Sequence, residues 1–391
     1  MFAPFSIARL PRIEFGAGSV KKLPAILDRY GKRVLLVSGG HSFLGSPHWE
    51  WLRAQGFGQD IFTVTGEPSP QLVDEAVANL RDGRFDVVLG IGGGSVLDAA
   101  KAIAGLLRPG NSVMDHLEGV GPELPYRGPA TPFVAVPTTA GTGSEATRNA
   151  VLSVPGANGF KKSFRDEQLV AEYAVVDPDL LASCPPPLIA ANGMDAFTQL
   201  LESFVSSKAN PFTDALAWSG MEAVRDGLPA WYGNGPEAPA GREKMAYAAL
   251  LSGITLAQAG LGSVHGLAAP LGAFFPIPHG VACGTLLAAA TRVNIEVMTA
   301  REPANPALAK YARVGRLLHG MKHGDDIAAR SALLQSLEGW TERMDMPRLG
   351  AFGASAADLP RIVANCRGSS MKTNPVALSD NDVGKILRAR L

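Results

Sequence analysis

The pattern of hydrophobic residues changes near Cys184, and this change limits the possible folds more than any other feature of the sequence. Ahead of it, short β-branched runs alternate with amphipathic stretches, at 33–38, 61–64, 72–81, 86–90 and 133–137. This alternation is typical of a parallel sheet whose strands are connected by helices. The run 174–177 is expected to return to that sheet, after which Cys184-Pro-Pro-Pro187 ends any continuing element.

Beyond Cys184 the pattern changes to long amphipathic segments rich in Ala and Leu, at 188–206, 214–228, 242–259 and 307–318. Their helical period predicts an all-α region. A chain of 391 residues also exceeds what one ordinary core organises. We therefore predict an α/β domain with a Rossmann-like parallel sheet over 1–183 and an all-α domain over 184–391.

The charge balance excludes several classes of partner. Lys plus Arg and Asp plus Glu both number 36, aromatic residues make up 7%, and like charges do not form runs. The chain therefore lacks the electrostatic footprint of proteins that bind nucleic acid or anionic membranes, and a small-molecule ligand is expected. Residues 1–15 have no signal-peptide pattern, and no segment offers about eighteen consecutive apolar residues. We expect a cytoplasmic protein.

Two polar turns follow neighbouring apolar strands. The first, Gly92-Gly93-Gly94-Ser95, leaves a strand and enters a helix that contains Asp98. Glycines at such a turn let backbone amides approach a pyrophosphate at a helix N-terminus, although they also serve simply to reverse a chain. The second turn, 138–145, contains hydroxyls and small residues suited to a phosphate or a nicotinamide amide. Such turns at the carboxyl ends of neighbouring strands predict a dinucleotide crevice between them.

Three side chains in the second half form a pattern typical of an open metal site. Asp195 lies among apolar residues, and His265 and His279 flank one unusually apolar stretch, with His279 expected at a sharp loop. Divalent metal ions use two imidazoles and one carboxylate where a position stays open for substrate. The other histidines, His41, His48, His116, His319 and His323, are not assigned to metal. Cys184, Cys283 and Cys366 are expected to be reduced packing residues rather than ligands.

Together these motifs resemble the iron-containing, group III alcohol dehydrogenase family. The likeness rests on the segments 92–101, 137–145 and 270–280, and it extends from Pro11 to Pro375. It implies a dehydroquinate-synthase-like fold, with a dinucleotide-binding α/β domain, a helical domain and a homodimeric assembly. It also implies hydride transfer between NAD(P) and a small alcohol/carbonyl pair, with one divalent ion, Fe²⁺ or Zn²⁺, as a Lewis acid.

The family motif assigns roles residue by residue. Asp195, His265 and His279 match its catalytic metal ligands, whereas the fourth ligand, usually a His, is Gln199 here. Gln199 shares a helix face with Asp195, so its amide oxygen can point at the metal, and Gln199→His is then expected to tighten metal retention. The resemblance also assigns the pyrophosphate turn to Gly93, Gly94 and Ser95, cofactor contacts to Thr138, Thr139 and Thr142, a cap on that region to Asp98, and a further cofactor contact to Lys162 or its neighbour Lys161.

The turn that follows the predicted strand 33–38 bears on the choice of nucleotide. NAD-preferring relatives usually carry an acidic residue near position 39, where a carboxylate binds the ribose hydroxyls and repels a 2′-phosphate. This chain has Gly39 and Gly40, whose amides, with the Ser42 hydroxyl, are expected to bind that phosphate. We therefore predict that NADP(H) is preferred. The alternative, a tight turn that admits both nucleotides, stays open.

Three other functions stay open. A maleylacetate-reductase-like enzyme would work without metal, but that branch tends to replace the Asp ligand, and Asp195 is retained. A dehydroquinate-synthase-like lyase would need a basic, phosphate-binding pocket, which the residues around 265–279 do not offer. A catalytically silent cofactor-binding protein is suggested by Gln199 and by Ala269, which stands where many relatives carry a His linked to proton transfer.

Overall fold

The structure is a computed structural model that describes residues 4–57, 59–321 and 324–391; His323 lies outside them. Residues 7–154 and 159–184 form one compact unit, here called the α/β unit. Residues 185–391 form the other, here called the helical unit, together with the short segments 4–6 and 155–158. The chain changes unit after Cys184, next to the three prolines, and the two short segments depart from the predicted division into 1–183 and 184–391.

The α/β unit is built on a parallel sheet. Among the described residues the strands are β1 (Arg12–Phe15), β2 (Val34–Gly39), β3 (Asp60–Val64), β4 (Val87–Gly92), β5 (Phe133–Pro137), β6 (Asn149–Val154), β7 (Phe160–Arg165) and β8 (Tyr173–Val176). Six of them form one sheet in the order β1-β8-β5-β4-β2-β3, with every pairing parallel. β6 and β7 form a separate antiparallel pair. Strands β4 and β5 are buried along their whole length, as expected where both faces of a parallel sheet are covered.

The strand order places a topological switch point between β2 and β4. From β2 the chain continues to β3 on one side, whereas β5 and β8 follow β4 on the other side. Ser38 of β2 is paired with Ile91 of β4, and Gly92 of β4 with Pro137 of β5. The carboxyl ends of these three strands are therefore level with one another. In open α/β sheets this is where ligands bind.

Helices of the α/β unit connect the parallel strands. They are α1 (Leu23–Leu27), α2 (Pro47–Ala54), α3 (Pro70–Leu80) and α4 (Gly94–Leu106). The alanine-rich α4 lies directly against β4, because a Cβ at Gly90 would come within 2.9 Å of the Cβ of Ala100. This close approach fixes the position of the glycine turn that joins the two elements.

The helical unit contains the remaining helices. They are α5 (Pro186–Val205), α6 (Pro211–Tyr232), α7 (Ala238–Ala259), α8 (Ser263–Phe274), α9 (His279–Arg301), α10 (Pro306–His319), α11 (Asp326–Arg343), α12 (Leu359–Asn365) and α13 (Asp380–Arg388). Helix α9 packs closely on α5 through two glycines spaced one turn apart. A Cβ at Gly280 would lie 2.7 Å from the Ala191 carbonyl oxygen, and one at Gly284 would lie 2.9 Å from the Cβ of Met194.

Helix α9 is long and apolar enough to cross a membrane by length and composition alone, but 78% of its most apolar window is buried inside the fold. The core helix of a soluble protein passes the same test. Helices α7 and α8 pass it only as a pair, which is bent by 101°.

Candidate active site

Three helices of the helical unit bring the predicted metal ligands together. Asp195 lies on α5 and is fully buried, His265 lies in the first turn of α8, and His279 is the first residue of α9. The Nε2 atoms of His265 and His279 lie 3.2 Å and 3.8 Å from the same oxygen, Asp195 Oδ1. A fourth group, the Cys283 thiol, joins them, so that these four donor atoms all lie within 4.8 Å of one another.

The packing of α9 on α5 explains this convergence. Residues four apart on a helix share a face, so the glycine face formed by Gly280 and Gly284 sits against α5. The adjacent face then presents His279 and Cys283, also four apart, toward Asp195. The expectation of a sharp loop around His279 is wrong. Pro278 is the N-terminal cap, and α9 begins at His279 itself.

A second carboxylate orients His265. Glu202, which follows Asp195 on α5, is buried, and its Oε2 lies 2.7 Å from His265 Nδ1. Its other oxygen accepts the backbone N–H of Val264 at 2.7 Å. Because a carboxylate only accepts hydrogen bonds, Nδ1 is the donor, and a neutral His265 then has its lone pair on Nε2, toward Asp195. Metal-binding histidines are commonly held in this way.

Gln199 lies beside the cluster in an orientation that does not suit a ligand. Its Nε2 donates to Asp195 Oδ2 at 3.2 Å, and its Oε1 accepts from the Ser252 hydroxyl at 2.7 Å. Only the amide oxygen can bind a cation, and that oxygen faces Ser252. The expectation that Gln199 points its oxygen at the metal is therefore corrected: the side chain instead positions the Asp195 carboxylate.

Electrostatics in the cluster follow from burial and close pairing. Burial raises the pKa of Asp195, but His279 and His265 outweigh this and lower it overall. Burial works against a charged His265, yet Cys283, Asp195 and Glu202 around its ring raise its pKa well above the usual range. Burial raises the pKa of the Cys283 thiol to about 12. The close pairing of Asp195 with the two imidazoles therefore favours the charged carboxylate, which is the form that binds a metal ion.

These donors fit a divalent ion. One carboxylate oxygen, two imidazole nitrogens and one sulfur form the kind of set that zinc and related ions bind. His279 keeps 27% of its side chain exposed, whereas the side chains of Asp195 and His265 are 1% and 6% exposed. Access to the cluster from outside the protein is therefore on the His279 side.

In the α/β unit the two predicted cofactor turns meet at the carboxyl end of the sheet. The backbone N–H of Thr138 donates to the Gly92 carbonyl oxygen at 2.9 Å. A Cβ at Gly94 would lie 2.7 Å from Thr142, and one at Gly93 would lie 3.3 Å from Thr139. The glycines thus let the two turns touch, with Gly93 as the cap of α4 and Ser95 in its first turn. The backbone N–H groups at a helix N-terminus that have no partner within the helix suit a pyrophosphate.

Two side chains of α4 hold the second turn in place. Asp98 accepts the Ser144 hydroxyl at 2.5 Å. The ammonium of Lys101, which is fully buried, donates to the Ser144 and Asn149 carbonyl oxygens at 2.8 Å and 2.7 Å and to the Thr147 hydroxyl at 3.0 Å. Burial lowers the pKa of Lys101 to about 8, against the opposing pull of Asp98. Asp98 and Lys101 therefore both hold the second turn against α4, the helix that follows the first turn.

The remaining predicted cofactor residues lie at two separate places. Gly39 ends β2 at the switch point and is followed by Gly40 and by Ser42, which is exposed in the next turn. Lys162 lies on β7, outside the parallel sheet, with its Nζ beside Gly119. Its neighbour Lys161 instead forms an ion pair with Glu67 at 2.6 Å.

Cys283, Glu202 and Lys101 were missed as site residues. Cys283 follows His279 by four residues, a spacing that becomes informative once α9 is known to begin at His279. Glu202 follows Asp195 by two helical turns, which places both on one face of α5. Nothing in the sequence around Lys101 indicates that its ammonium is buried.

Comparisons with known proteins agree with this arrangement. Residues 11–178 match the family model described as iron-containing alcohol dehydrogenase, and residues 189–391 match that of the Fe-containing alcohol dehydrogenase family, C-terminal. The chain is 32% identical to long-chain-alcohol dehydrogenase 1 of Geobacillus thermodenitrificans, over 98% of this chain and 97% of that protein. It is 33% identical to a 1-propanol dehydrogenase of Salmonella typhimurium, over 97% of this chain and 98% of that protein. Among solved structures it is similar to sulfoacetaldehyde reductase from Bifidobacterium kashiwanohense in complex with NAD⁺, at 26% identity and a TM-score of 0.85, over 99% of each chain.

The fold and the donor cluster define a metal-dependent oxidoreductase with a Rossmann-like nucleotide unit. The chain belongs to the iron-containing alcohol dehydrogenase family, and its activity is that of a metal-dependent alcohol dehydrogenase. These relatives support that activity over the alternatives, a maleylacetate-reductase-like enzyme, a dehydroquinate-synthase-like lyase and a silent cofactor-binding protein.

Proposed function

We propose that Asp195, His265 and His279 hold one divalent metal ion and that the enzyme uses NAD(P)(H) to interconvert a small alcohol and its carbonyl compound. The observation that carries this proposal is the convergence of both Nε2 atoms on Asp195 Oδ1, at 3.2 Å and 3.8 Å. A bound divalent ion supplies a Lewis acid for the substrate oxygen, and the nicotinamide nucleotide supplies or accepts hydride.

The protein's own residues position and orient the reacting groups. Glu202 fixes His265 so that Nε2 faces the cluster, and Gln199 holds the second oxygen of Asp195. The partly exposed His279 leaves one side of the cluster open, and the substrate oxygen is proposed to enter there. With Ala269 at the position of the usual second His, the proton is proposed to leave by water or by a ribose hydroxyl.

The nucleotide is proposed to bind at the carboxyl ends of β2, β4 and β5, with its pyrophosphate at Gly93, Gly94 and Ser95 and with Thr138, Thr139 and Thr142 as further contacts. The switch point between β2 and β4 and the half-buried N-terminus of α4 support this assignment. We propose that NADP(H) is preferred over NAD(H), because Gly39 offers no carboxylate to repel a 2′-phosphate.

The partners and the location are proposals that follow from the sequence. We propose a small alcohol or aldehyde as the substrate, a homodimer as the assembly and the cytoplasm as the location. The three cysteines, Cys184, Cys283 and Cys366, form no disulfide with one another, which suits a reducing compartment. Sedimentation analysis of the purified protein tests the homodimer.

Metal removal tests the proposed function. Chelation is expected to abolish turnover, and His279→Ala is expected to lose both bound metal and activity, because the variant removes one of three donors. The control is His319→Ala, at an exposed histidine on α10 that should leave metal content and rate unchanged. A metal-free sample that keeps its full rate would contradict the proposal.

A further inference from the structure

Cys283 occupies a position in the cluster that a packing residue does not need. It is fully buried on α9, and its Sγ lies 3.6 Å from His265 Nε2 and 3.7 Å from His279 Nε2. These two nitrogens are the same atoms that face Asp195. The sulfur therefore points into the space that the three predicted ligands surround, not away from it.

The spacing of these atoms matches a tetrahedral ion. With bonds of about 2.0–2.1 Å to N or O and about 2.3 Å to S, donors around tetrahedral zinc lie about 3.3 Å apart for N and O pairs and about 3.6 Å apart for N and S pairs. The nitrogen–oxygen separations here are 3.2 Å and 3.8 Å. The nitrogen–sulfur separations are 3.6 Å and 3.7 Å. These four separations lie within about 0.5 Å of the tetrahedral values, and the other two are below 4.8 Å.

The orientation of Gln199 leaves the fourth ligand position of the family pattern to a donor from another element. The Gln199 Oε1 atom, the only atom of this side chain that can bind a cation, faces Ser252. Gln199 therefore does not add a fourth metal ligand to Asp195, His265 and His279. A thiolate differs from an amide oxygen because it is anionic and soft. Soft thiolate donors favour zinc and cobalt over hard ions such as Mn²⁺.

We propose that Cys283 is the fourth protein ligand of the metal site, as a thiolate, with the substrate oxygen as a fifth donor on the more exposed His279 side, and that the thiolate makes the site selective for a borderline ion such as Zn²⁺. The inference rests on the proposed function, in which Asp195, His265 and His279 hold a metal ion. On binding, the S–H bond breaks, a sulfur–metal bond forms, and the proton leaves to solvent, as metal thiolate formation requires.

Spectroscopy of the cobalt-substituted protein tests the proposal directly. Co²⁺ is added to metal-free wild type, to Cys283→Ser and to Cys366→Ser. Cys366 is the matched control, because it is also buried in the helical unit but donates to the Val363 carbonyl oxygen at 3.2 Å. Wild type and Cys366→Ser should show a thiolate-to-Co²⁺ charge-transfer band in the near ultraviolet, whereas Cys283→Ser should lose this band and keep the weaker visible bands of bound Co²⁺.

Metal affinity gives the second measurement. Zn²⁺ and Mn²⁺ are titrated into the same three proteins. Cys283→Ser should bind Zn²⁺ at least about tenfold more weakly, a loss no smaller than that caused by removing an outer partner of a ligand. Its affinity for Mn²⁺ should change much less, because Mn²⁺ gains little from a soft donor.

The outcomes separate this inference from the proposed function. If wild type binds Co²⁺ without a charge-transfer band, Cys283 is a packing residue, and the three-ligand site still stands. If wild type binds no divalent ion, both proposals fail. The wild-type spectrum decides the matter even if Cys283→Ser folds poorly.

Discussion

At the residue scale, position 199 is where the metal site departs from the family pattern, with Gln199 in place of the usual His. Gln199 accepts from Ser252 and donates to Asp195, so it forms a link between α7 and the Asp195 carboxylate. An imidazole at this position has to give up one of these two hydrogen bonds to face a metal ion. We therefore expect Gln199→His to weaken or leave unchanged the affinity for Zn²⁺, which reverses the expectation from the sequence.

Isothermal titration of Zn²⁺ into wild type and Gln199→His measures this effect. Ser252→Ala is the companion variant, since it removes the hydroxyl that holds the amide but leaves Gln199 in place. It is expected to lower Zn²⁺ affinity in the same direction by a smaller factor. A Gln199→His protein that binds Zn²⁺ more tightly than wild type would show that the Ser252 bond does not set the orientation.

The sequence predicted some of these residues and missed others for physical reasons. Asp195, His265 and His279 stand out because a buried carboxylate and two histidines beside apolar segments are uncommon without a partner. The Cys283 thiol does not stand out, because free cysteines are among the most buried residues in any case. Its relation to His279 depends on where α9 begins, and a proline followed by His-Gly reads equally well as a loop.

At the element scale, the contact of α4 with the 138–145 turn carries a pH dependence. Glu145 in that turn is 3% exposed, and burial raises its pKa from 4.5 to about 7. Between pH 4.5 and about pH 7, the Glu145 carboxyl is therefore protonated in the folded protein and ionised in the unfolded chain. Folding stability from this group is therefore present below about pH 4.5 and is lost as the pH rises to about 7.

Glu145→Gln should remove this dependence, because the amide is neutral at every pH. The free energy of unfolding of the variant relative to wild type should rise across this window by at most roughly 1.4 kcal/mol per pH unit. Urea unfolding at several values from pH 4.5 to 7 measures the slope, with Glu50→Gln on the exposed surface of α2 as the control. Parallel curves for Glu145→Gln and wild type would contradict the prediction.

The end of β2 is the element at which nucleotide choice can be tested. A Cβ at Gly39 would lie 3.7 Å from Val96 of α4, an ordinary contact, so a side chain fits there. Wild type is expected to prefer NADP(H) by tenfold to a hundredfold in kcat/KM, since a charge-assisted hydrogen bond contributes about 1.5–3 kcal/mol. Gly39→Asp should reverse the preference by repelling the 2′-phosphate.

Gly39→Asn is the matched control, because it has the same shape as Asp without the charge. It should reduce activity with both nucleotides to a similar degree and leave their ratio closer to that of wild type. Steady-state kinetics with each nucleotide measure all three proteins. A wild type that prefers NAD(H), or an Asp variant whose preference does not move, would show that Gly39 does not select the nucleotide.

The elements that the sequence predicted are those with the strongest period. The apolar runs at 33–38, 86–90 and 133–137 correspond to β2, β4 and β5, each within two residues at its ends. The segment Arg12–Phe15 was not predicted as a strand, because this short edge strand alternates charged and apolar residues and is mostly exposed. The β6–β7 pair was missed for a related reason, since Lys161 and Lys162 give β7 a polar pattern.

At the scale of the whole molecule, the proposed metal site and the proposed nucleotide site lie in different units. The metal donors, with Glu202 and Gln199, belong to 185–391, whereas the glycine and threonine turns belong to the α/β unit. The metal ion and the nucleotide, each added alone, should therefore slow the exchange of backbone amides in their own unit first. The reason is that a ligand stabilises the folded form of the elements that bind it.

Hydrogen exchange of the full chain with Zn²⁺ alone and with NADP⁺ alone tests this division. Zn²⁺ is expected to slow exchange in α5, α8 and the first turns of α9, which carry its donors. NADP⁺ is expected to slow exchange at 92–96 and 138–144, where α4 begins and Asp98 and Lys101 hold the second turn. The control is a sample with Mg²⁺, a hard ion that these nitrogen and sulfur donors bind poorly. Zn²⁺ protection confined to the turns of the sheet would show that the metal site lies elsewhere, because the buried donors on α5, α8 and α9 cannot bind an ion without losing motion themselves.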